Sequence, residues 1–228
     1  MALIDALLAA HWVVHYVGSS SGIERGLIAP MGIAFHGIAT GKLRRYFSWQ
    51  NFIDPLYILC GFCQSLWLCM RLRPDVVFSK GGFVAVPLVT AAWLLRIPVI
   101  SHESDTTPGL ANKLCFPFCR WICVNFPQTT EHLPAGKVLV TGSPVRSGLL
   151  QGDAGRARQE FGLAIDKPVL LVFGGSLGAN VINQAVRQNL AALLSEFQVV
   201  HVVGAGNLSP ALADMPGYIQ RDYINESF

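Results

Sequence analysis

The chain has 228 residues, of which 52% are apolar and only 14% are charged, and its mean hydropathy is +0.43. This composition excludes an intrinsically disordered protein, because disorder requires low hydrophobicity and high charge. The formal net charge of +3 lacks the strongly basic character of nucleic-acid-binding domains, so no nucleic-acid partner is expected. A mildly basic balance fits anionic partners such as phosphates or acidic lipids, but it specifies none of them.

The N-terminal part of the sequence has no Lys or Arg before its apolar stretch, so it lacks the basic segment of a secretory signal peptide. Apolar patterning predicts four elements before residue 40: a helix over 1–10, a strand over 11–17, a short helix over 22–30 and a short strand over 32–36.

A long apolar helix is predicted over residues 52–72. It approaches the roughly 20 apolar residues that a membrane span requires. Asp54, Pro55 and Gln64 interrupt it, which favours a buried or half-buried helix of an α/β domain.

The segment before this helix mixes basic and aromatic residues. Lys42, Arg44 and Arg45 lie beside Tyr46 and Trp49, a pattern that fits an interfacial contact with anionic lipid headgroups. An ordinary solvated loop explains the same residues equally well.

Six cysteines occur in the sequence. Cys60 and Cys63 have the spacing of a redox motif, but they fall inside the predicted apolar helix. Cys115, Cys119 and Cys123 lie four residues apart, and no His or acidic residue completes a zinc set. We therefore expect reduced thiols that act as small apolar side chains, and neither a metal nor another cofactor.

Strands and helices continue to alternate in the second half of the sequence, which predicts βαβ units and parallel sheets. The predicted strands are 75–78, 98–102, 121–124, 138–141, 168–173 and 198–203, and the predicted helices are 84–95, 111–118, 153–161 and 179–194. A boundary between Gly148 and Lys167 separates an N-terminal domain over 1–148 from a C-terminal domain over 167–228, with a linker over 149–166.

In parallel α/β sheets, ligands bind beyond the carboxyl ends of the strands, so the residues that follow strands are the informative ones. The glycine-rich segment Gly174–Gly178 follows a strand and opens a helix, where free N–H groups and the helix dipole suit a diphosphate. Gly175 permits close backbone approach, and Ser176 adds a hydroxyl donor. A tight βα turn with no ligand is an equally good interpretation.

Three further strand ends carry polar or glycine-rich motifs. Gly81 and Gly82 can approach a phosphate or a sugar, although a simple turn explains them as well. His102 and Glu103 are candidates for acid–base chemistry, with helix capping as the alternative. Arg146 can bind a phosphate through its guanidinium fork, or it can be an ordinary surface arginine.

These motifs, in this order, resemble those of the MurG family of N-acetylglucosaminyltransferases. The matching segments are YVGSSSGIE (16–24), GGFVAVP (81–87), IPVISHESDTTPGLANK (97–113), VTGSPVR (140–146) and VLLVFGGSLGANVINQAV (169–186). The match is colinear and covers almost the whole chain. It implies an α/β GT-B fold of two Rossmann-like domains with parallel sheets, the second of them incomplete.

The resemblance also implies an activity, an inverting glycosyl transfer. N-acetylglucosamine would pass from UDP-GlcNAc to lipid I (undecaprenyl-diphospho-muramoylpentapeptide), which forms lipid II in peptidoglycan synthesis. The N-terminal domain would take the acceptor and face the membrane, and the C-terminal domain would bind the UDP-sugar. An enzyme of this family works on the cytoplasmic side of the bacterial cell membrane as a peripheral protein, so an anionic membrane surface is a further implied partner.

Site residues follow from the same resemblance, position by position. Residues matching the donor-binding positions are Asn112, Arg146, Ser176 and Ile224, the last of which would contact uracil through its backbone. Glycines matching substrate-binding loops are Gly81, Gly82 and Gly175. His102 and Glu103 match a motif with a supporting catalytic role.

The sequence also departs from the family pattern. The family's first strand and its Gly-Gly-x-Gly-Gly-His loop, whose His is thought to be the general base, have no counterpart here, nor do the later donor contacts beyond Ile224. The expectation is a chain truncated at both ends and inactive alone. The usual His-Glu-Gln-Asn motif has Ser104 and Asp105 at its last two positions.

Two other functions fit the sequence. One is a different GT-B protein, such as another lipid glycosyltransferase or a UDP-GlcNAc epimerase. The other is a non-catalytic module that docks on membranes or partners without turnover.

Overall fold

The structure is a computed structural model that describes residues 2–20, 24–40, 54–145, 148, 151–175 and 178–224. The chain separates into two compact units, Met1–Arg146 (unit one) and Ser147–Phe228 (unit two). Both units are built from helices that alternate with parallel strands, which confirms the predicted α/β class.

Unit one contains five helices and six strands in its described residues, and short 3-10 turns join some of them. In chain order they are α1 (Ala2–Ala9), β1 (His15–Ser19), α2 (Glu24–Ile28), β2 (Ala34–Ile38), α3 (Asp54–Leu72), β3 (Val77–Ser79), α4 (Ala85–Leu94), β4 (Val99–Glu103), α5 (Leu110–Cys115), β5 (Trp121–Val124) and β6 (Val138–Val140).

The described strands of unit one form two sheets. β1 pairs with β2 in parallel, with His15 opposite Ala34. The second sheet has the order β3-β4-β5-β6, and every neighbouring pair in it is parallel. Because its strands run the same way, the residues that follow β3 and β4 emerge along one edge of this sheet.

The core of unit one lies between this four-stranded sheet and its helices. Its buried members are apolar side chains from α3, α4 and α5, from the 3-10 turn after α5 and from the sheet itself: Cys69, Val77, Ala85, Val89, Ala92, Val99, Cys115, Phe116, Cys119, Ile122 and Val124. Burial raises the pKa of the Cys115 thiol to about 12 and that of Cys119 to about 11. Both thiols are therefore protonated at neutral pH, and they pack as small apolar groups.

Helix α3 carries an exposed apolar surface along much of its length. Leu56, Leu59, Trp67 and Met70 are each more than half exposed, at spacings that place them along one side of the helix. No helix within the described ranges is both long and apolar enough to pass through a bilayer. The basic and aromatic residues predicted to contact lipid, 42–49, lie outside the described residues.

Strand β1 begins later than the sequence predicts, at His15 rather than at His11. His11 has a left-handed backbone with φ 62°, and Trp12 donates its backbone N–H to the carbonyl of Leu7. These features close the end of α1, so the chain becomes extended only after this turn.

Unit two contains α6 (Ala154–Phe161), β7 (Val169–Phe173), α7 (Asn180–Gln188), α8 (Leu190–Glu196), β8 (Gln198–Val202) and β9 (Tyr218–Arg221). Its sheet has the order β7-β8-β9, and both strand pairs are parallel. Asp153 caps α6, since its side chain accepts hydrogen bonds from the N–H groups of Gly155 and Arg156.

The single helix predicted over 179–194 is wrong, because the structure has two helices there. Asn189 separates them with φ −106° and ψ 13°, and its side-chain N–H donates to the carbonyl of Ala185 at 2.8 Å. An asparagine amide competes with the helix backbone for hydrogen bonds, and here that competition ends α7.

Gly61 sets how closely α3 approaches the end of β2. A Cβ atom at this position would lie 2.1 Å from the carbonyl oxygen of Ala39. We expect Gly61→Ala to lower the free energy of unfolding of the chain by about 1–3 kcal/mol, because the helix must shift to relieve the clash. Urea unfolding followed by circular dichroism measures the change.

Gly26→Ala is the matched control, since Gly26 lies in α2 and a Cβ there meets nothing within 4 Å. It should be neutral or stabilising by up to about 1 kcal/mol, as expected for alanine in a helix. Equal effects of the two substitutions would contradict the close approach.

Candidate functional site

In unit one, the carboxyl ends of β3 and β4 bring five polar side chains together. We call Lys80, His102, Glu103, Ser104 and Asn112 the strand-end cluster. Lys80 follows β3, His102 and Glu103 end β4, Ser104 follows it, and Asn112 lies in the first turn of α5. The parallel pairing of β3 with β4 is what places these ends side by side.

Glu103 is the most heavily hydrogen-bonded member of the cluster. Its Oε1 accepts from the backbone N–H of Asp105 at 3.0 Å. Its Oε2 accepts from the backbone N–H of Gly109 at 3.1 Å and from the Asn112 side chain at 2.8 Å. Burial alone would raise the pKa of Glu103, but these donors outweigh it and hold the pKa below its ordinary value. Glu103 is therefore a carboxylate at neutral pH, and it shapes the loop between β4 and α5.

Asn112 presents a free acceptor. Its Nδ2 is held by Glu103, which fixes the orientation of the amide. Its Oδ1 is buried, and it has no hydrogen-bond partner within the part of the chain that the structure describes. A buried polar atom without a partner costs free energy, so a ligand with an N–H or O–H group would gain by binding there.

Glycine is required for different structural reasons at the two positions after Lys80. Gly81 has φ +88°, and a Cβ there would lie 2.6 Å from the Oδ1 atom of Asn112. Gly82 has φ +81° and open space around it. Gly81 therefore lets the chain after β3 pass close to the Asn112 amide, while Gly82 only supplies the backbone conformation.

His102 is buried, and both of its ring nitrogens are engaged. Nε2 lies 3.1 Å from the carbonyl oxygen of Gly142, which can only accept, so Nε2 carries the proton. Nδ1 lies 2.8 Å from the Lys80 ammonium and accepts from it. A neutral ring with both nitrogens bonded cannot take a proton from a substrate without losing one of these bonds. This geometry favours a positioning role for His102.

Lys80 links the two strand ends. Its ammonium donates to Nδ1 of His102 and, at 2.7 Å, to Oγ of Ser104. Burial lowers the pKa of Lys80, while the nearby carboxylates of Glu103 and Asp105 act in the opposite direction. Lys80 was not among the site residues predicted from the sequence, so its bond to His102 is a contact that sequence reasoning missed.

In unit two, the turn between β7 and α7 is shaped by close backbone contacts. A Cβ at Gly178 would lie 2.0 Å from the carbonyl oxygen of Val203, and one at Gly174 would lie 2.6 Å from the backbone nitrogen of Ala179. Ala179 occupies the N-cap position of α7 and has no side-chain acceptor. The first N–H groups of α7 therefore receive no side-chain cap, which is the arrangement that binds an anion.

The other predicted site residues are placed only in part. Gly175 lies in the turn with φ +83° and open space at its Cβ position. Ile224 is half-buried and follows β9 by three residues. Arg146 and Ser176 lie outside the described residues, so their roles stay predictions.

Sequence reasoning also missed a buried polar group in unit two, made of Asn183, His201 and Tyr218. One signal was available. His201 is the fourth residue of a strand that reads QVVHV, and all five of its residues are buried. A histidine at such a position requires partners for both ring nitrogens.

The hydrogen bonds of Glu103 predict a pH-dependent stability. In Glu103→Gln the side chain must turn its NH₂ group toward at least one of the three donors, so we expect the variant to lose about 1–3 kcal/mol at pH 7. A depressed folded-state pKa contributes stability that is present above the unfolded pKa and is lost as the pH falls through the folded pKa. The difference between wild type and variant should therefore shrink in the acid range below the ordinary carboxyl pKa.

Urea unfolding between pH 3 and pH 7 measures this difference, with the exposed Glu131→Gln as the control that should change little. A gap that stays constant across the whole range would contradict the ionised, hydrogen-bonded carboxylate.

Sequence comparisons identify both parts of the chain. The model of the glycosyltransferase family 28 N-terminal domain matches residues 1–124, and that of the family 28 C-terminal domain matches residues 169–226. A Legionella pneumophila (strain Lens) protein named UDP-N-acetylglucosamine--N-acetylmuramyl-(pentapeptide) pyrophosphoryl-undecaprenol N-acetylglucosamine transferase is 50% identical over 227 residues, which are 99% of this chain and 62% of the relative. A protein of the same name from Geobacillus kaustophilus (strain HTA426) is 48% identical and is covered to 64%. The chain thus spans less than two thirds of the length of these relatives.

Solved structures agree on the fold. The crystal structure of Acinetobacter baumannii MurG matches 98% of this chain and 61% of its own, with a TM-score of 0.66 and 24% identity. The glycosyltransferase of kitacinnamycin matches 98% of this chain and 67% of its own, with a TM-score of 0.63 and 15% identity. The GT-B fold that the resemblance implied is therefore confirmed. With both domain models matched in order and relatives near 50% identity, the chain belongs to glycosyltransferase family 28.

Proposed function

We propose that the chain is part of an enzyme that transfers N-acetylglucosamine from UDP-GlcNAc to the lipid-linked muramoyl-pentapeptide, lipid I. The observation that carries the proposal is the turn between β7 and α7, where Gly178 contacts the carbonyl of Val203 and α7 begins without a side-chain cap. The names of the relatives supply the substrate class.

In this proposal the turn binds the diphosphate of the donor. When the bond between the sugar C1 atom and the diphosphate oxygen breaks, negative charge grows on UDP. Unpaired N–H groups at a helix N-terminus stabilise such charge, and because they are already oriented they need no rearrangement during the reaction. Ser176 would add a hydroxyl donor, and Ile224 would contact uracil through its backbone. Arg146 stays a candidate phosphate ligand from the family resemblance.

The strand-end cluster would serve binding rather than proton transfer. The Oδ1 atom of Asn112 is oriented by Glu103 and lacks a partner among the described residues, so it can accept a hydrogen bond from an N–H or O–H group of a substrate. Gly81 has no Cβ atom that would press on the Oδ1 atom of Asn112. His102 and Glu103 act by fixing the loops around Asn112.

The acceptor is lipid-linked, so the enzyme must work at a membrane surface. We propose that the exposed apolar side of α3 contacts the cytoplasmic leaflet as a peripheral surface, together with the basic residues that precede the helix. Exposed leucines and aromatic residues beside basic residues are typical of proteins that lie on anionic membranes.

Donor binding tests the first half of the proposal. We expect the chain to bind UDP, and Gly178→Ala to weaken that binding at least tenfold, because a Cβ 2.0 Å from the carbonyl of Val203 must displace the turn. Isothermal titration calorimetry measures the Kd for UDP of the wild-type chain and of the variant. Gly162→Ala is the control, since Gly162 also has a positive φ (+61°) but open space around it, and it lies at the end of α6.

The acceptor half is tested by transfer of labelled N-acetylglucosamine to lipid I. The assay uses a chimera in which this chain replaces the matching segment of the Legionella pneumophila relative. Gly178→Ala should abolish most of the transfer and Gly162→Ala should preserve it. A chain that binds no UDP, together with a chimera that transfers no sugar, would favour a non-catalytic module.

Membrane contact is tested with vesicles that contain phosphatidylglycerol. Leu56→Ser combined with Leu59→Ser should reduce the vesicle-bound fraction severalfold in co-sedimentation, because each buried CH₂ contributes about 0.8 kcal/mol to insertion. The control combines Ile165→Ser with Leu208→Ser, two exposed apolar residues of unit two. Equal losses from both pairs would argue against α3 as the contact surface.

A further inference from the structure

A chain of buried hydrogen bonds crosses unit two from β9 to the turn before α7. The Tyr218 hydroxyl lies 2.9 Å from Nδ1 of His201, and Nε2 of His201 lies 3.0 Å from Oδ1 of Asn183. The Nδ2 atom of Asn183 donates to the carbonyl oxygen of Val203 at 2.9 Å. All three side chains are at most 2% exposed. We call Asn183, His201 and Tyr218 the buried relay.

The direction of every bond in the relay follows from its last acceptor. A carbonyl oxygen can only accept, so Asn183 must direct its NH₂ group to Val203 and its oxygen to His201. The His201 ring must then carry its proton on Nε2. Its Nδ1 is left as an acceptor, and the Tyr218 hydroxyl donates to it.

This assignment requires a neutral histidine. Burial lowers the pKa of His201, and the positive charge of Arg187 lowers it further. The neutral ring therefore persists at physiological pH, with one nitrogen protonated and both of them bonded.

The relay ends on an atom that shapes the glycine-rich turn. The carbonyl oxygen of Val203 that Asn183 binds is the same oxygen that would lie 2.0 Å from a Cβ at Gly178. Asn183 also lies in the first turn of α7, whose N-terminus begins just after Gly178. The Asn183 side chain thus links the first turn of α7 to the residue that follows β8, against which Gly178 packs.

Hydrogen bonds from a second residue of α7 also attach this helix to the segment that follows β8. Arg187 lies one helical turn after Asn183, and it donates to the carbonyl oxygen of Asn207 and to the side chain of Gln220. Gln220 in turn holds the backbone of Ser209 through two hydrogen bonds. Helix α7 is therefore attached at two levels to the segment that follows β8.

An apolar core would need no such chain. Buried polar groups cost free energy unless each is satisfied, and they make a core specific because alternative packings leave partners unmatched. We expect the hydrogen bonds of the relay to hold α7 in a single position on β8, because other positions would leave polar groups without partners.

We propose that the buried relay is a positioning device for the diphosphate-binding turn, in which Asn183, oriented by His201 and Tyr218, fixes the carbonyl of Val203 against Gly178. The three residues do not touch the ligand. They determine where the N–H groups at the start of α7 point. This inference rests on the proposed donor role of the turn.

The test compares ligands with and without phosphates on the 228-residue chain. In Asn183→Ala we expect the Kd for UDP to rise about tenfold, while the Kd for uridine changes less than twofold, because only the diphosphate contacts the turn. Calorimetry measures the Kd for UDP, and a titration followed by NMR measures the Kd for uridine.

Variants of His201 separate positioning from simple loss of a core residue. His201→Gln keeps an amide N–H that can donate to Asn183, so it should retain most of the preference for UDP. His201→Leu fills the space without a donor and should resemble Asn183→Ala. Equal behaviour of the two His201 variants would overturn the relay.

Gln198→Ala is the matched control for destabilisation. Gln198 is a buried polar residue of the same strand β8, but at its amino end, where it binds the backbone of Ala164 and Lys167. It should lower the melting temperature and leave the ratio of the UDP and uridine affinities unchanged. A ratio that changes as much in Gln198→Ala as in Asn183→Ala would contradict the proposal.

A second measurement separates the relay from the donor role. In ¹⁵N-resolved NMR spectra of the unliganded chain, Asn183→Ala should shift the amide signals of Gly175 and Gly178, and His201 should show a protonated Nε2 in the wild type. If these hold while UDP does not bind, the turn is positioned by the relay but the donor role fails. Unshifted glycine signals would refute the relay itself.

Discussion

In both units, a buried polar side chain next to the carboxyl end of a strand must be satisfied, and the loops around it take their shape from that requirement. Glu103 meets it in unit one by accepting from two backbone N–H groups and from Asn112. Asn183 meets it in unit two by joining His201 to the carbonyl of Val203. In parallel sheets the loops beyond the strand ends are where ligands bind, so the same hydrogen bonds that stabilise the fold also place the groups that we propose bind substrate.

The hydrogen bonds of Glu103 and Asn183 also explain why glycine is required at two nearby positions. Gly81 is required because the Asn112 amide, held by Glu103, occupies the space of a Cβ atom. Gly178 is required because the Val203 carbonyl, held by Asn183, occupies the corresponding space. At these two positions close approach adds to the positive φ, so both constraints favour glycine. Gly82 and Gly175 have open space around them, so only their positive φ angles favour glycine there.

Alternation of apolar strands with helices was enough to predict the α/β class and the parallel sheets. It was also enough to predict that the polar residues at 102–103 end a strand and that Gly174 and Gly175 follow one. It could not predict the break at Asn189, because that break depends on an asparagine side chain competing with the helix backbone. It missed β9, a four-residue strand whose pairing with β8 is a tertiary contact.

The partners of the polar residues were also beyond prediction from sequence. Lys80 and His102 are 22 residues apart, and Asn183 and His201 are 18 apart. The pairing of β3 with β4 brings Lys80 to His102, and the packing of α7 on β8 brings Asn183 to His201. The sequence therefore predicts which loops carry polar residues, but the tautomers and the hydrogen-bond partners need coordinates.

The two buried histidines share one chemical state, and this limits the mechanism that the described residues support. His102 donates from Nε2 to a carbonyl and accepts at Nδ1 from Lys80, and His201 donates from Nε2 to Asn183 and accepts at Nδ1 from Tyr218. To take a proton at Nδ1, either ring must first give up the bond that orients it. Within the proposed function, these side chains contribute by fixing groups that bind the substrate and by holding dipoles toward the charge that develops on the diphosphate. Under that proposal, substitution of these histidines is expected to change the position of the groups that bind the substrate.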